Sequence, residues 1–278
     1  YYKEAGLDVD IIEPGDNATT SMVAAGKADF GVSYQEDVTY ALTSEDPLPI
    51  KTIATIIQHN TSGFVSLKSA NINSVKDFEG KTYAGWGAPS EEAVIKAVMN
   101  EAGADFSKLN IVGSDGSGIA GLSDEVGKNK VNLGWEFYGW AIIKAMQDGY
   151  DLNYMPLADL DSRLDYYTPV IITNNKMIKK NSDTIKKFME ATKKGYEYAI
   201  DHPNKAAEIL HDDALTDTDL KFLKESQKYL SSQYAKDADS WGVMKDSVWD
   251  NYTDFMYETG LIDHKIDAKD QYTNEFVK

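Results

Sequence analysis

The 278-residue sequence has no cysteine and only one arginine, Arg163. The lack of cysteine excludes disulfides, thiolate metal sites and cysteine nucleophiles within this chain. The scarcity of arginine counts against a strongly anionic ligand, because phosphate, sulfonate and carboxylate groups are most often held by the planar arginine fork. A net charge of −17 also argues against binding to nucleic acid or to an anionic membrane surface, since both require clustered Lys and Arg.

Long hydrophobic runs are missing as well. No segment approaches the ~18 consecutive apolar residues of a membrane span. With 42% hydrophobic and 26% charged residues, the composition is that of a globular chain with one or two cores. Residues 1–6 read as the last turn of a helix that ends at Gly6, so we expect a first strand and most of a first helix upstream of Tyr1.

The rest of the chain alternates strands and helices up to about residue 172 and contains only helices after Asn181. Alternating apolar residues predict a strand over residues 7–12, followed by a helix over 18–27 and a strand over 28–33. This order is typical of an α/β fold with a parallel sheet. Further along, the pattern predicts a helix over residues 121–129.

Residues 134–140, with the sequence Gly-Trp-Glu-Phe-Tyr-Gly-Trp, place aromatic rings and one carboxylate between a predicted strand and a helix. Open α/β proteins bind small ligands at the carboxyl ends of their strands. The rings offer flat apolar surface, and Glu136 can orient a ligand that carries N–H groups. We therefore interpret this segment as part of a ligand site; the alternative is that the rings are core and Glu136 is solvated.

Other motifs do not meet the requirements of catalytic or metal sites. Residues 113–118, Gly-Ser-Asp-Gly-Ser-Gly, follow a predicted strand, but their glycine order fits neither the dinucleotide fingerprint nor the P-loop, so a flexible turn is expected. Ser117 lacks the flanking spacing of a nucleophile elbow. The histidines share no metal-ligand spacing. No cofactor or metal is expected.

Three segments carry a resemblance to a known family: Gly-Leu-Asp-Val at residues 6–9, Gly-Lys-Ala-Asp-Phe-Gly followed by Ser-Tyr-Gln-Glu at 26–36, and Trp-Glu-Phe-Tyr-Gly-Trp at 135–140. In this order they resemble the solute-binding proteins of ABC importers, over essentially the whole chain. The glycine-containing segments are shared by sulfonate, taurine and riboflavin binders. The Ser-Tyr-Gln-Glu and Trp-Glu-Phe-Tyr-Gly-Trp segments resemble the branch that binds pyrimidine precursors of thiamine.

The resemblance implies an α/β type II periplasmic-binding-protein fold, in which two lobes are joined by two crossing strands and close by hinge motion. Lobe one is expected at residues 1–83 and 171–278, and lobe two at residues 84–170. The resemblance also implies a non-catalytic bacterial protein at the outer face of the cytoplasmic membrane or in the periplasm. Its expected partners are the membrane subunits of an ABC importer. It is expected to have no membrane span of its own, and any attachment to the membrane is expected through an upstream lipid anchor.

The expected ligand is a neutral or weakly basic aromatic heterocycle, an aminopyrimidine precursor of thiamine. Its contacts are assigned to residues at predicted strand ends and turns: Tyr34, Gln35, Trp86, Trp135, Glu136 and Tyr138, together with Asn17, Asn60, Ser114 and Tyr167. One alternative is a sulfonate or riboflavin-like ligand, an anion being bound at helix N-termini such as residues 18–21. The other is a pyrimidine-synthesising enzyme that uses His59 and a metal, although fungal enzymes of that kind carry a cysteine-rich motif that this sequence lacks.

Overall fold

A computed structural model describes residues 1–15, 18–127 and 130–277. The strands are β1 Phe30–Ser33, β2 Ile50–Thr55, β3 Ser62–Leu67, β4 Thr82–Gly85, β5 Asn110–Gly113, β6 Leu133–Phe137, β7 Leu152–Pro156 and β8 Val170–Asn174. The α-helices are α1 Thr19–Ala24, α2 Gln35–Thr43, α3 Pro89–Glu101, α4 Ile143–Gln147, α5 Leu157–Leu160, α6 Asn175–Lys180, α7 Ser182–Asp201, α8 Pro203–Asp213, α9 Leu220–Ser231, α10 Asp246–Glu258 and α11 Ala268–Gln271. Across these residues, no helix is both long enough and apolar enough to span a bilayer.

The chain forms two compact units. Unit 1 consists of Tyr1–His59, Tyr166–Tyr257 and Ile262–Lys278, and unit 2 of Asn60–Asp165 and Glu258–Leu261. The predicted division put the first boundary near residue 83. The units instead change at residue 59, because β3 pairs with β6 and β7 and so lies within unit 2.

Unit 1 contains a three-stranded sheet in the order β1-β8-β2, and β8 is antiparallel to both neighbours. All five residues of β8 are buried, as expected of a central strand covered on both faces. Ile171 packs into a cluster with Ile185 and Met189 of α7, whereas Ile172 packs with Val38 of α2. Alternate side chains of the strand thus enter two helical layers, one on each face of the sheet.

Unit 2 contains a five-stranded sheet in the order β5-β4-β6-β3-β7. β4 is parallel to β5 and β6, whereas β3 is antiparallel to β6 and β7. Phe64 of β3 is fully buried, and its ring meets Phe78 and Tyr83 edge-on, with centroids 5.3 and 6.2 Å away. Because β4, β5 and β6 run in the same direction, their carboxyl ends lie at one edge of this sheet.

Two predicted elements are wrong. Residues 7–12 form no strand, since none of the residues that the structure describes forms a β-ladder with them. The side chain of Ile11 is 91% exposed. The predicted helix over 121–129 is absent from its described part, residues 121–127. Here the amide of the buried Asn132 donates to the carbonyl oxygens of Ser123 and Glu125, which a helix would have used internally.

Candidate functional site

A cavity lies in unit 2 where the parallel strands β4, β5 and β6 end. It encloses about 190 Å³, below the ~300 to 1,000 Å³ of sites for drug-sized ligands, so it suits a small one. Its described lining consists of the strand ends, the loop that follows β5, and β3: Val65, Ala84, Gly85, Trp86, Gly113, Ser114, Asp115, Ser117, Gly118, Ile119, Gly121, Leu122, Val131, Gly134, Trp135 and Glu136. The location at the carboxyl ends of parallel strands is the one predicted from the sequence.

Two tryptophans form an aromatic wall of this cavity. The rings of Trp86 and Trp135 meet edge-to-face, with centroids 5.2 Å apart and planes at 61°. Trp135 is backed by the buried ring of Phe64 at 5.7 Å, which fixes it to the core of unit 2. Trp86 remains 57% exposed, so it presents apolar ring surface that a flat ligand can cover.

Glu136 also lines the cavity and follows Trp135 in β6, where it lies on the same face of the strand as Gly134. Across the strand pair, its partner in the register is Gly63, which has no side chain to cover it. On the side of the loop, a Cβ added at Gly118 would lie 3.7 Å from Glu136 Oε1. Burial raises the pKa of the Glu136 carboxyl above its ordinary value, because the charged form is poorly solvated there. The group is thus poised to accept or share a proton with a ligand.

The loop after β5 is held by hydrogen bonds between its own residues. The Gly116 N–H donates to Ser114 Oγ at 3.2 Å, and the Ser117 N–H donates to Asp115 Oδ1 at 2.9 Å. The Ser114 N–H donates to the Gly85 carbonyl at 2.7 Å, which ties the loop to the end of β4. A phosphate loop needs its N–H groups directed at the ligand, so these bonds agree with the predicted turn.

Two further predicted residues, Tyr138 and Asn60, lie in unit 2 outside the cavity lining. Tyr138 begins a π-helical turn, Tyr138–Ile142, and its ring packs edge-on against Tyr154 in an apolar cluster. Asn60 is buried: its Nδ2 donates to the Leu164 carbonyl, and its Oδ1 accepts from the N–H and hydroxyl of Ser62. Its amide therefore holds the chain at the start of β3.

Three predicted residues lie in unit 1. Tyr34 precedes α2, and its side chain is 45% exposed. Gln35 and Tyr167 are buried against each other, the Gln35 Oε1 accepting from the Tyr167 N–H at 2.8 Å. The hydroxyl of Tyr167 accepts from the Lys245 N–H at 3.0 Å. Asn17 falls outside the described residues.

The sequence reasoning missed Asp115 and Ser117 of the cavity lining because it treated their segment only as a failed phosphate loop. It also assigned Glu91 no role in the site. The structure instead buries the Glu91 carboxylate against the turn that carries Trp86. Glu91 is the third residue of α3, two positions after Pro89. This position was the available signal, because a Glu there often reaches back to main-chain N–H groups.

His59, which the enzymatic alternative invoked, lies in unit 1 with its Nε2 3.4 Å from Asp237 Oδ2. Within the described ranges, no three His, Cys, Asp or Glu side chains are grouped so that they could hold a metal ion.

Comparison with known proteins gives a match to the NMT1/THI5-like family over residues 1–206. The chain belongs to this family. A formylaminopyrimidine-binding protein from Halalkalibacterium halodurans is 26% identical over 87% of this chain and 75% of that protein. A 4-amino-5-hydroxymethyl-2-methylpyrimidine phosphate synthase from Legionella pneumophila is 23% identical over 100% of this chain and 84% of its own length. The proteins similar to this chain thus include one named for binding and one named for synthesis.

Among solved structures, the periplasmic sulfonate-binding protein SsuA from Methylobacillus flagellatus superposes with a TM-score of 0.69 at 15% identity. The match covers 99% of this chain and 82% of that one. The predicted periplasmic-binding-protein fold is confirmed, and so is the family resemblance read from the sequence.

Proposed function

We propose that this protein is a non-catalytic, extracytoplasmic solute-binding protein of a bacterial ABC importer, and that it binds an aminopyrimidine precursor of thiamine. The observation that carries the proposal is the chemistry of the unit 2 cavity, which is lined by the carboxyl side chains of Glu136 and Asp115 and by two tryptophans in mutual contact, Trp86 and Trp135. An aminopyrimidine has a flat ring for the tryptophans and an amine beside a ring nitrogen for a carboxyl group. The relative named for binding formylaminopyrimidine supports the same ligand class.

A sulfonate ligand, the first alternative, fits this cavity poorly. Its described lining contains two acidic side chains and no Lys, Arg or His. The N–H groups of Gly116 and Ser117 are already bonded within the loop, so they do not form a ready anion site. A sulfonate placed near Glu136 would be repelled by its charge. The likeness to sulfonate-binding structures concerns the fold.

A pyrimidine-synthesising enzyme, the second alternative, is represented among the relatives by the Legionella protein. The fungal enzymes that the sequence resembles carry a cysteine-rich motif, and this chain has no cysteine. If the protein were such an enzyme, incubation with iron and pyridoxal phosphate would produce or alter a pyrimidine detectable by mass spectrometry. We expect the bound pyrimidine to be recovered unchanged. Turnover would contradict the proposed function and favour the enzymatic alternative.

A thermal-shift screen tests the ligand class directly. The candidates are 4-amino-5-hydroxymethyl-2-methylpyrimidine, formylaminopyrimidine, riboflavin, taurine and sulfate, each at several concentrations. A ligand present at 100 times its dissociation constant adds ~2.7 kcal/mol to the stability of the folded protein. We expect the two pyrimidines to raise the melting temperature and the two anions to leave it unchanged. Stabilisation by taurine or sulfate alone would overturn the proposal.

A further inference from the structure

Glu91 belongs to α3 and does not line the cavity, yet its carboxylate lies against the turn that carries Trp86. Glu91 is only 3% exposed, and such burial is rare for a charged residue unless it is paired or hydrogen-bonded. The Gly87 N–H donates to Glu91 Oε2 at 2.9 Å, and the Trp86 N–H donates to Oε1 at 3.3 Å. The carboxylate therefore bonds two consecutive main-chain N–H groups, those of Trp86 and its neighbour.

Tyr83 holds the other side of this carboxylate. Its hydroxyl donates a hydrogen bond to Glu91 Oε1, and its ring is fully buried on β4. Burial, followed by the hydrogen bond and charge of Glu91, raises the pKa of Tyr83 well above its ordinary value, which keeps the phenol a donor. Glu91 is thus tied to the sheet through Tyr83 and to the turn through main-chain bonds.

The sequence leaves room for this carboxylate by placing glycine at position 85. A Cβ added at Gly85 would collide with the Glu91 carboxylate. Gly87 has a φ of +82°, a conformation that favours glycine and that turns the chain sharply after Trp86. Gly85 and Gly87 therefore flank Trp86. Because glycine is conformationally permissive, these flanking residues do not hold the tryptophan in one position by themselves.

We propose that Glu91 is a positioning residue for the ligand site: its carboxylate fixes the main chain at Trp86 and so holds that ring as a wall of the cavity. The edge contact with Trp135 then completes the support of a side chain that is otherwise 57% exposed. Glu91 itself touches no ligand. This inference rests on the proposed function only for its effect on pyrimidine affinity, and the position of the ring can be tested without ligand.

The first test uses Glu91→Gln, with Glu92→Gln as the matched control. Glutamine has one acceptor oxygen and one NH2 group, so in either orientation its NH2 faces a main-chain N–H that the carboxylate had bonded. Glu92 is an exposed neighbour in the same helical turn, so its variant makes the same charge change without touching the turn. Gly85→Ala is a second variant, which displaces the carboxylate while keeping Glu91.

The readout is 19F NMR of protein labelled with 5-fluorotryptophan, without ligand. The chain has five tryptophans, and the Trp86 line is assigned by its loss in Trp86→Phe. We expect Glu91→Gln and Gly85→Ala to shift or broaden the Trp86 line, and its neighbour Trp135 to a smaller degree. The lines of Trp241 and Trp249, in unit 1, and all lines of Glu92→Gln should match the wild type. A Trp86 line unchanged in Glu91→Gln or in Gly85→Ala would overturn the proposal.

The second test is a double-mutant cycle read by calorimetry with 4-amino-5-hydroxymethyl-2-methylpyrimidine. Glu91→Gln should weaken binding by about twofold to tenfold, as expected for the loss of one well-placed aromatic contact. In a Trp86→Ala background, the same substitution should change the dissociation constant by less than about twofold, because its route of action is gone. An equal loss in both backgrounds would show that Glu91 acts independently of Trp86. If no pyrimidine binds the wild type, the proposed function fails, while the NMR measurement still decides the positioning role.

Discussion

Gln35 and Tyr167 form a pair of reciprocal hydrogen bonds in unit 1. The Gln35 N–H donates to the Tyr167 carbonyl at 3.0 Å, and the Gln35 side-chain oxygen accepts from the Tyr167 N–H at 2.8 Å. The Gln35 Nε2 donates to the Val248 carbonyl at 3.3 Å. Both ends of the side-chain amide are therefore used inside the unit, which favours a structural role over ligand contact.

Gln35→Ala is expected to destabilise the protein by about 1 to 3 kcal/mol, because it removes the side-chain oxygen that accepts from the buried Tyr167 N–H. For a chain of this size, each kcal/mol corresponds to roughly 2 to 4 °C in melting temperature. Thermal unfolding without ligand measures the loss. The neighbouring Tyr34→Ala is the control: its side chain is 45% exposed, so it should change stability by less than about 0.5 kcal/mol. Equal melting temperatures for the Gln35 variant and the wild type would contradict the structural role.

Glu136 is expected to recognise the paired ring nitrogen and amine of an aminopyrimidine. The ligand offers one acceptor beside one donor, so two hydrogen bonds to a carboxylate require a shared proton, which the raised pKa of Glu136 favours. Affinity should therefore fall as the pH rises above the pKa values of both groups. Glu136→Gln should retain much of the affinity and flatten its pH dependence, whereas Glu136→Ala should lose ~1.5 to 3 kcal/mol, about tenfold to hundredfold.

Isothermal titration of the wild type and these two variants across pH 5 to 8 measures both effects. For an anion-binding protein the order is reversed, since removing the Glu136 charge would tighten the ligand. An unchanged dissociation constant in Glu136→Ala would remove this residue from the site.

Glu36 in unit 1 should make stability depend on pH. Its Oε2 accepts from the hydroxyls of Tyr252 at 3.1 Å and Tyr166 at 3.5 Å. Burial, reinforced by the charge of Asp37, raises its pKa from an ordinary 4.5 to about 7. Between these values the folded protein keeps a proton that the unfolded chain has lost, so the stabilisation is complete below pH 4.5 and disappears as the pH rises through 7.

Denaturant unfolding at pH 5 and pH 8 should show this loss, which is at most about 3 kcal/mol for the difference between the two pKa values. Glu36→Gln should reduce the difference between the two pH values, since glutamine accepts the same hydroxyl bonds without ionising. Glu45→Gln, at an exposed position in the same unit, should keep the wild-type difference. Parallel pH profiles for Glu36→Gln and the wild type would exclude this assignment.

Gly63, opposite Glu136 in the sheet, should not tolerate a side chain. A Cβ there would collide with the Met155 carbonyl and lie 2.8 Å from Tyr154 Cζ. Gly63→Ala is therefore expected to lower the free energy of unfolding by about 1 to 3 kcal/mol, as overpacking usually does. Gly113→Ala, at the end of β5, is the control because no atom lies within 4 Å of its added Cβ. Denaturant midpoints for the two variants provide the comparison, and equal midpoints would contradict the packing at β3.

The part of the site that could be predicted from the sequence is the part made by strand ends. Trp86, Ser114, Trp135 and Glu136 each follow or end a strand that hydrophobic pattern and glycine punctuation identify, and the structure brings all four to one cavity. That they bind a ligand remains a prediction.

What could not be predicted concerns polar side chains whose partners are distant in sequence. Asn60, Gln35 and Tyr167 have the residue types and positions of ligand contacts, but main-chain groups occupy them. The side-chain amide of Asn132 donates to the carbonyl groups of Ser123 and Glu125, which lie in the segment that was predicted to be a helix. Sequence pattern reports burial and periodicity, and it contains no information on which buried amide meets which carbonyl.

The self-bonded loop after β5 has an evolutionary consequence. Because the N–H groups of Gly116 and Ser117 are occupied by Ser114 and Asp115, the charge that the cavity offers to a ligand comes from the side chains of Asp115 and Glu136. Exchanging Asp115 for asparagine and Glu136 for glutamine would remove both negative charges of the described lining without changing the backbone, since asparagine also accepts from the Ser117 N–H. Two codon changes separate an acidic cavity from a neutral one, so the charge of this cavity can change in evolution while the fold stays the same.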